Sequence, residues 1–338
     1  MAVRCSALSL GATGGTYLEG GDWQAGVAYR YMNSFRHFRG GEEEPQRVEQ
    51  GTEVINDLHT WDLNLSYAIV PRWTVSLAVP VVYNERSSKY EHLGNLPLGN
   101  PRFTTRASGL GDIRLTTGVW LFDPADDRSQ DRNVSIGLGV KMPTGDYEAT
   151  DDFHRYGPGG VVVQVERPVD QSIQPGDGGW GMLIDLNAFT KVVDRTYGYL
   201  TASYLMNPRE TNGVETPNSR PGNVTLMSVP DGYLVRSGFS YALWPEEGLS
   251  MSLGVRFEGV PVTDWAGGSD GFRRPGYAIS IEPGLTWVKG RYQFTINTPV
   301  ALERNRERSV LDMARGPNVH GDAAFADWFL TASFSVRF

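Results

Sequence analysis

The chain has 338 residues, a formal net charge of −8 and a single cysteine. One cysteine excludes a disulfide scaffold and a thiolate zinc site, and the acidic balance argues against a nucleic-acid partner, which needs a basic face. Mean hydropathy is −0.33, and no run reaches the ~18 apolar residues of a membrane helix, so a helical membrane protein is excluded but a membrane protein built of strands is not.

At the start of the chain, residues 1–16 contain Arg4 but no apolar core of the length a signal peptide uses. Cys5 lacks the small apolar residues that precede a lipidated cysteine and reads as incidental. From Trp23 onward the pattern has period two. The segment 23–35 is followed by His59-x-Trp61-x-Leu63-x-Leu65-x-Tyr67-x-Ile69, with Asp62, Asn64 and Ser66 on the other face. After the tight turn at 70–72 come Trp73, Val75, Leu77, Val79, Val81 and Tyr83, again on alternate positions. The alternation returns at 113–121, 134–142, 182–188, 196–206, 233–244, 249–257, 277–287 and 292–302. It is clearest at 326–338, where Ala326, Trp328, Leu330, Ala332, Phe334, Val336 and Phe338 alternate with residues that include Asp327, Thr331, Ser333 and Arg337. Seven alternate apolar positions in a row fit a strand with a different solvent on each face, and no helix gives them. In 196–206 the register is ambiguous, because Tyr197 and Tyr199 oppose Leu200 and Tyr204.

These segments predict 12 strands whose connections alternate in length. The short ones fall at 70–72, 123–132, 193–195, 245–248 and 289–290, and the long ones at 37–57, 86–109, 145–178, 207–232, 261–276 and 303–325. Short turns at one end and long loops at the other predict an all-β fold: a transmembrane antiparallel up-and-down β-barrel with periplasmic turns and extracellular loops. A strand in lipid must satisfy its backbone within the sheet, so the sheet closes. Residues 23–338 are expected to form this single barrel domain, and 1–22 a periplasmic tail or a lumen segment. Aromatics near strand ends (Trp23, Trp61, Trp73, Tyr83, Tyr277, Trp287, Tyr292 and Trp328) fit girdles at the two interfaces. A soluble sandwich or lipocalin-like barrel is the alternative, but the proposed inner face carries Arg114, Lys141, Asp185, Arg236, Arg256, Glu258 and Glu282, which a dry core would not tolerate.

The same seven residues are the expected pore-lining and selectivity set, with inward Trp120, Phe189 and Leu234 as a patch suited to aromatic solutes. The 145–178 connection is the longest. It is expected to fold inward as a constriction loop, with Asp151, Asp152, Arg155, Asp170 and Asp177 as its candidates and Val161 to Val163 as an apolar anchor. A surface hairpin is the plainer expectation for it. In Lys141-Met-Pro-Thr-Gly-Asp146, Pro143 and Gly145 read as a bend out of the wall, and an Asp112–Lys141 pair is expected at the same end. His59 has no serine beside it to make a hydrolase site, and His37, His92, His154 and His320 fall in expected loops without metal spacing. The acidic run Glu42 to Glu44 reads as a solvated surface or as a bridge through divalent cations to lipopolysaccharide or a partner, and Asp177 in 176–179 and Asp270 in 268–271 could each offer a calcium ligand, but neither segment has a full set. No catalytic residue, metal or cofactor is expected.

Two stretches carry a family resemblance: Gly109-Leu-Gly-Asp112 at a strand start, and Leu138-Gly-Val-Lys-Met-Pro-Thr-Gly-Asp146 at the end of the next strand. Together with 170–181 and Asn297-Thr-Pro-Val-Ala-Leu-Glu303, they resemble the outer-membrane barrels described as putative MetA-pathway of phenol degradation, over most of 58–338. The resemblance implies a porin-like barrel and a link to uptake of aromatic compounds. The ending Thr331-x-Ser333-x-x-Val336-x-Phe338, with Phe334, resembles the signal read by the outer-membrane barrel assembly machinery, with Ser333 where glycine is usual. The expected function is passive uptake of small, aromatic or hydrophobic solutes across a bacterial outer membrane. The alternative is a plugged barrel whose loops bind a partner. Expected partners are outer-membrane lipid and lipopolysaccharide, the assembly machinery and the solute.

Overall fold

The computed structural model describes residues 17–220 and 222–338. Cys5 and most of the 1–22 segment lie outside the described residues. Twelve antiparallel strands close into a barrel. In chain order they are β1 (Trp23–Arg39), β2 (Ile55–Val70), β3 (Trp73–Ser88), β4 (Phe103–Leu110 continued by Arg114–Trp120), β5 (Arg132–Lys141) and β6 (Gly181–Val193). Then follow β7 (Thr196–Met206), β8 (Gly232–Trp244), β9 (Leu249–Val260), β10 (Gly276–Lys289), β11 (Tyr292–Asn297 continued by Val300–Arg306) and β12 (Ala323–Arg337). Each strand pairs with its sequence neighbours, and β12 returns to β1 from Gln24↔Arg337 to Phe38↔Ala323. Trp23 and Phe338 exchange both backbone hydrogen bonds, at 2.8 and 2.9 Å, where the ends meet.

Alternation makes this fold. In β5, Ile136, Leu138 and Val140 are 46, 54 and 42% exposed on the outside, while Asn133, Ser135 and Lys141 are buried inside. The twofold repeat gives each wall residue one of two surroundings, which explains a membrane chain with a negative mean hydropathy. Trp23, Trp61, Trp73, Tyr83, Tyr292 and Trp328 are exposed on the outer wall. The ambiguous strand resolves with Tyr199 inward, paired to Phe189 and Gly238, and Leu200 outward. Tyr199 lies flat over the inner wall because Gly254 has no side chain: a Cβ there would collide with its hydroxyl.

The long-loop end holds more structure than its sequence suggests. Residues 103–110 continue β4 above the barrel, pairing with β3 from Val81↔Leu110 to Ser88↔Phe103. Thr150–Tyr156 and Val162–Pro168 form a hairpin of their own. β1 extends to Arg39, so His37 belongs to a strand and not to a loop. The helix Val310–Arg315 is closed at its start by a capping box between Ser309 and Asp312.

Candidate functional site: the barrel lumen

All seven predicted lumen residues point inward, and six of them are buried: Arg114, Lys141, Arg236, Arg256, Glu258 and Glu282. Asp185 lies across the inner wall over Gly137. Midway along the strands Arg236 grips Glu282 through two bonds of 3.0 and 2.5 Å. Arg256 reaches Glu258 at 2.8 Å and Glu282 at 3.7 Å, and Arg30 approaches Glu258 at 3.8 Å. Phe329 sits among them, with the Arg30 and Arg256 guanidinium carbons 4.7 and 5.0 Å from its ring centre. Cations over a ring face, desolvated and matched by carboxylates, satisfy charge where few waters can enter. On the β2–β4 part of the inner wall Arg114 meets Asp62 at 3.0 Å.

Toward the long-loop end the lumen opens into a cavity of about 590 Å³. Its apolar lining includes Met32, Leu58, Leu205, Val260, Phe272 and Ala324, beside the paired Arg114, Lys141, Asp112 and Asp177. The volume lies within the range of small-molecule pockets.

The cavity is built by loops held on charged nodes. Asp112 accepts the N–H of Gly145 at 3.0 Å and that of Asp177 at 3.1 Å. Lys141 stands 4.0 Å from Asp112 and bonds Asp177 directly. Gly145 and Gly176 touch so closely that a Cβ on either would collide with the other's backbone. On the far side, buried His37 accepts the Val54 N–H at Nε2 (2.8 Å) and bonds Asp322 through Nδ1 (2.7 Å), which Arg47 also binds at 2.6 Å. A backbone N–H can only donate, so His37 carries its proton on Nδ1. Burial works to raise the Asp322 carboxyl, but the bonds from His37 and Arg47 outweigh it and hold the group well below the usual carboxylate range.

The constriction-loop candidates divide. Asp170 is buried and takes both arms of Arg274, at 2.9 and 2.8 Å, and with Asp177 it belongs to the segment that folds inward. Asp151, Asp152 and Arg155 belong to the outer hairpin. Asp151 accepts the Arg106 N–H at 2.7 Å, and Arg155 donates to the carbonyls of His92 and Pro217. Val161, Val162 and Val163 are 64, 45 and 38% exposed, so the expected apolar anchor is absent; the hairpin instead anchors through Phe153, fully buried beside His92. His92 and His154, remote in sequence, lie with ring centres 5.7 Å apart, and His154 N–H donates to His92 Nδ1 at 3.1 Å. Among the described residues no group of three or more His, Cys, Asp or Glu is arranged to hold a metal. His59 is part of an outer-wall aromatic cluster, stacked on Trp61 and bonded to the Tyr29 hydroxyl at 2.8 Å.

At the short-turn end Trp120 and Phe189 face inward, and Tyr17 joins them with ring centres 5.1 and 6.3 Å away. The Tyr17 hydroxyl donates to the Ser129 carbonyl at 2.6 Å and accepts from Asn133 at 2.9 Å. Nothing in the local sequence marked Tyr17, because its partners are more than 100 positions away. Leu234 lies buried inside the wall, and Phe334 and Phe338 are exposed outside it.

The family model described as putative MetA-pathway of phenol degradation matches residues 33–163. That span includes the Gly109–Asp112 and Lys141–Asp146 motifs, joined in space by Asp112, and leaves 170–181 and 297–303 outside it. The chain thus resembles that family over residues 33–163. Among solved structures, it is similar to the COG4313 outer membrane channel from Pseudomonas putida F1, with 12% identity, TM-score 0.62, and 95% of this chain and 97% of that one covered. At this identity the likeness shows the fold alone, a closed antiparallel β-barrel. More distant are the β domain of the Bordetella autotransporter BrkA (11% identity, TM-score 0.48, 95% and 100% covered) and the Ralstonia pickettii toluene transporter TbuX (10%, 0.46, 96% and 90%). No curated protein matches the sequence.

Proposed function

We propose that the protein is an outer-membrane channel for passive uptake of small hydrophobic or aromatic solutes, with its short turns in the periplasm and its long loops outside. The cavity of about 590 Å³ beneath the long loops carries this reading. Its apolar surface suits an aromatic or aliphatic body, and Arg114, Lys141, Asp112 and Asp177 in its lining are already paired, so they do not demand a charged solute. The match to a family named for phenol degradation and the likeness to an outer membrane channel support it. Selectivity then rests on Arg114, Lys141, Asp185, Arg236, Arg256, Glu258 and Glu282, and no chemistry is done on the solute. Residues 23–338 form the barrel domain, and residues 17–22 serve as a lumen segment through Tyr17.

The test is the entry rate of a radiolabelled monoaromatic alcohol into cells whose outer membrane carries or lacks the protein. Faster entry with the protein is expected; equal rates with a correctly folded barrel overturn the reading. A second reading, a plugged barrel whose loops bind a partner, draws on the Arg236–Glu282 layer and predicts those equal rates. Lipopolysaccharide around the loops and the assembly machinery reading Phe334, Val336 and Phe338 are the partners proposed for the wall.

A further inference from the structure

Phe329 breaks the alternation of β12. The positions that share its parity toward the chain end are Thr331, Ser333, Ser335 and Arg337, all polar. Its ring is buried, yet what it meets is a layer of charge and not an apolar core. The Arg30 guanidinium lies 4.7 Å from the ring centre and that of Arg256 5.0 Å.

The two arginines do not depend on the ring for their places. Both approach Glu258, Arg256 at 2.8 Å and Arg30 at 3.8 Å, and Arg256 also stands 3.7 Å from Glu282. Carboxylates that hold two guanidiniums toward one spot build a seat for a flat, electron-rich group. The attraction comes from the quadrupole of the π system, grows where water is excluded, and is absent for a saturated ring of the same size. Phe329 is the ring that fills the seat from within the chain.

The wall behind Phe329 is loosely laddered. β11 is interrupted here, so β12 pairs with it from Tyr292↔Val336 to Asn297↔Thr331 and beyond that only at Val300↔Trp328. The Phe329 N–H donates to the Pro299 carbonyl, inside the interruption, at 3.2 Å. On the other side Phe329 pairs with Met32, and the register shifts immediately after that pair. Bulges of this kind re-aim side chains. Met32 also lines the cavity beneath the long loops, so the seat adjoins that cavity.

We propose that Arg30 and Arg256 form the step that selects aromatic solutes, with Phe329 as its gate. A solute ring leaving the cavity takes the place of the Phe329 ring on the two guanidiniums, and Phe329 returns when the solute has passed. No bond is made or broken. The proposal rests on the uptake reading and narrows its solutes to those with an aromatic ring.

Two measurements test it. In the first, cells whose outer membrane carries or lacks the protein take up radiolabelled benzyl alcohol or cyclohexylmethanol, which share a size and a hydroxyl. After subtraction of entry without the protein, benzyl alcohol should enter about fivefold faster. Arg30→Gln, which leaves Arg256 with Glu258, should lower that ratio at least about twofold, with the barrel intact by heat-modifiable mobility. In the second, the purified full-length Phe329→Ala variant is melted with benzene or cyclohexane at equal concentration. Benzene should raise its midpoint at least about twice as much as cyclohexane. Equal entry of the two alcohols, or equal shifts by the two hydrocarbons, overturns the proposal. If neither alcohol enters faster with the protein but benzene alone protects Phe329→Ala, the aromatic seat stands and the uptake reading falls. If Phe329→Ala does not fold, the alcohol pair on the unaltered protein decides.

Discussion

The carboxylate of Asp112 accepts the backbone N–H of Gly145 at 3.0 Å, across 33 positions of sequence. With its second bond, to the Asp177 N–H, this side chain ties the top of β4 to both ends of the longest connection. The two resembling motifs are therefore two halves of one joint, which fixes Lys141 at the cavity's edge. Replacing Asp112→Ala removes both bonds and leaves Lys141 with Asp177 alone. A loss of about 2–3 kcal/mol in urea unfolding is expected, together with faster proteolysis between residues 146 and 178.

The buried Arg236–Glu282 pair makes a second prediction. Taking away one partner strands a charge in a site of low polarity, which costs about 3–5 kcal/mol, whereas replacing both by apolar residues of similar size costs far less. Glu282→Ala should therefore lower the unfolding midpoint in detergent strongly. The double change Arg236→Met with Glu282→Leu should recover most of that loss, provided Arg256 keeps Glu258.

His92 gives a pH dependence. Burial first, then the neighbouring His154 and Arg155, push its imidazole down to about 4. The unfolded chain takes up a proton near pH 6.5, while the folded loop resists until about pH 4. The contribution of His92 to the hairpin is thus complete above about pH 6.5 and is lost as the pH falls toward 4. Limited proteolysis of the 150–168 hairpin should accelerate across that window. His92→Phe, which fits among Phe103 and Phe153, should flatten the profile.

Tyr17 is held against the inner wall at the short-turn end by two hydrogen bonds and two ring contacts. Together these are worth about 2 kcal/mol. Tyr17→Ala should raise the open fraction of the channel about thirtyfold in current recordings and leave the unfolding midpoint of the barrel nearly unchanged.

The wall was legible in the sequence because the two faces of a lipid-crossing strand meet different solvents, and residues such as Leu138 and Lys141 record that directly. The inward direction of Arg236 and Glu282 followed from the same period. Their pairing did not, since register across the barrel brings together positions 46 apart. The extension 103–110 and the 150–168 hairpin bury only Thr105, Ala107 and Phe153, against partners distant in sequence, so no long alternation marks them. Val161 to Val163 looked like an anchor by composition, but a two-stranded hairpin leaves its outer strand exposed on both faces. His37 looked like a loop histidine because the bulges in the β1–β12 pairing break the period just before it.

The central claim is that the lumen is a path and not a sealed core. Single-channel current of the purified full chain in planar bilayers tests it most directly. A small ohmic current, reduced when a monoaromatic alcohol enters from the long-loop side and enlarged by Tyr17→Ala, is the predicted result. No current from either the unaltered protein or Tyr17→Ala, with both barrels intact, would contradict it.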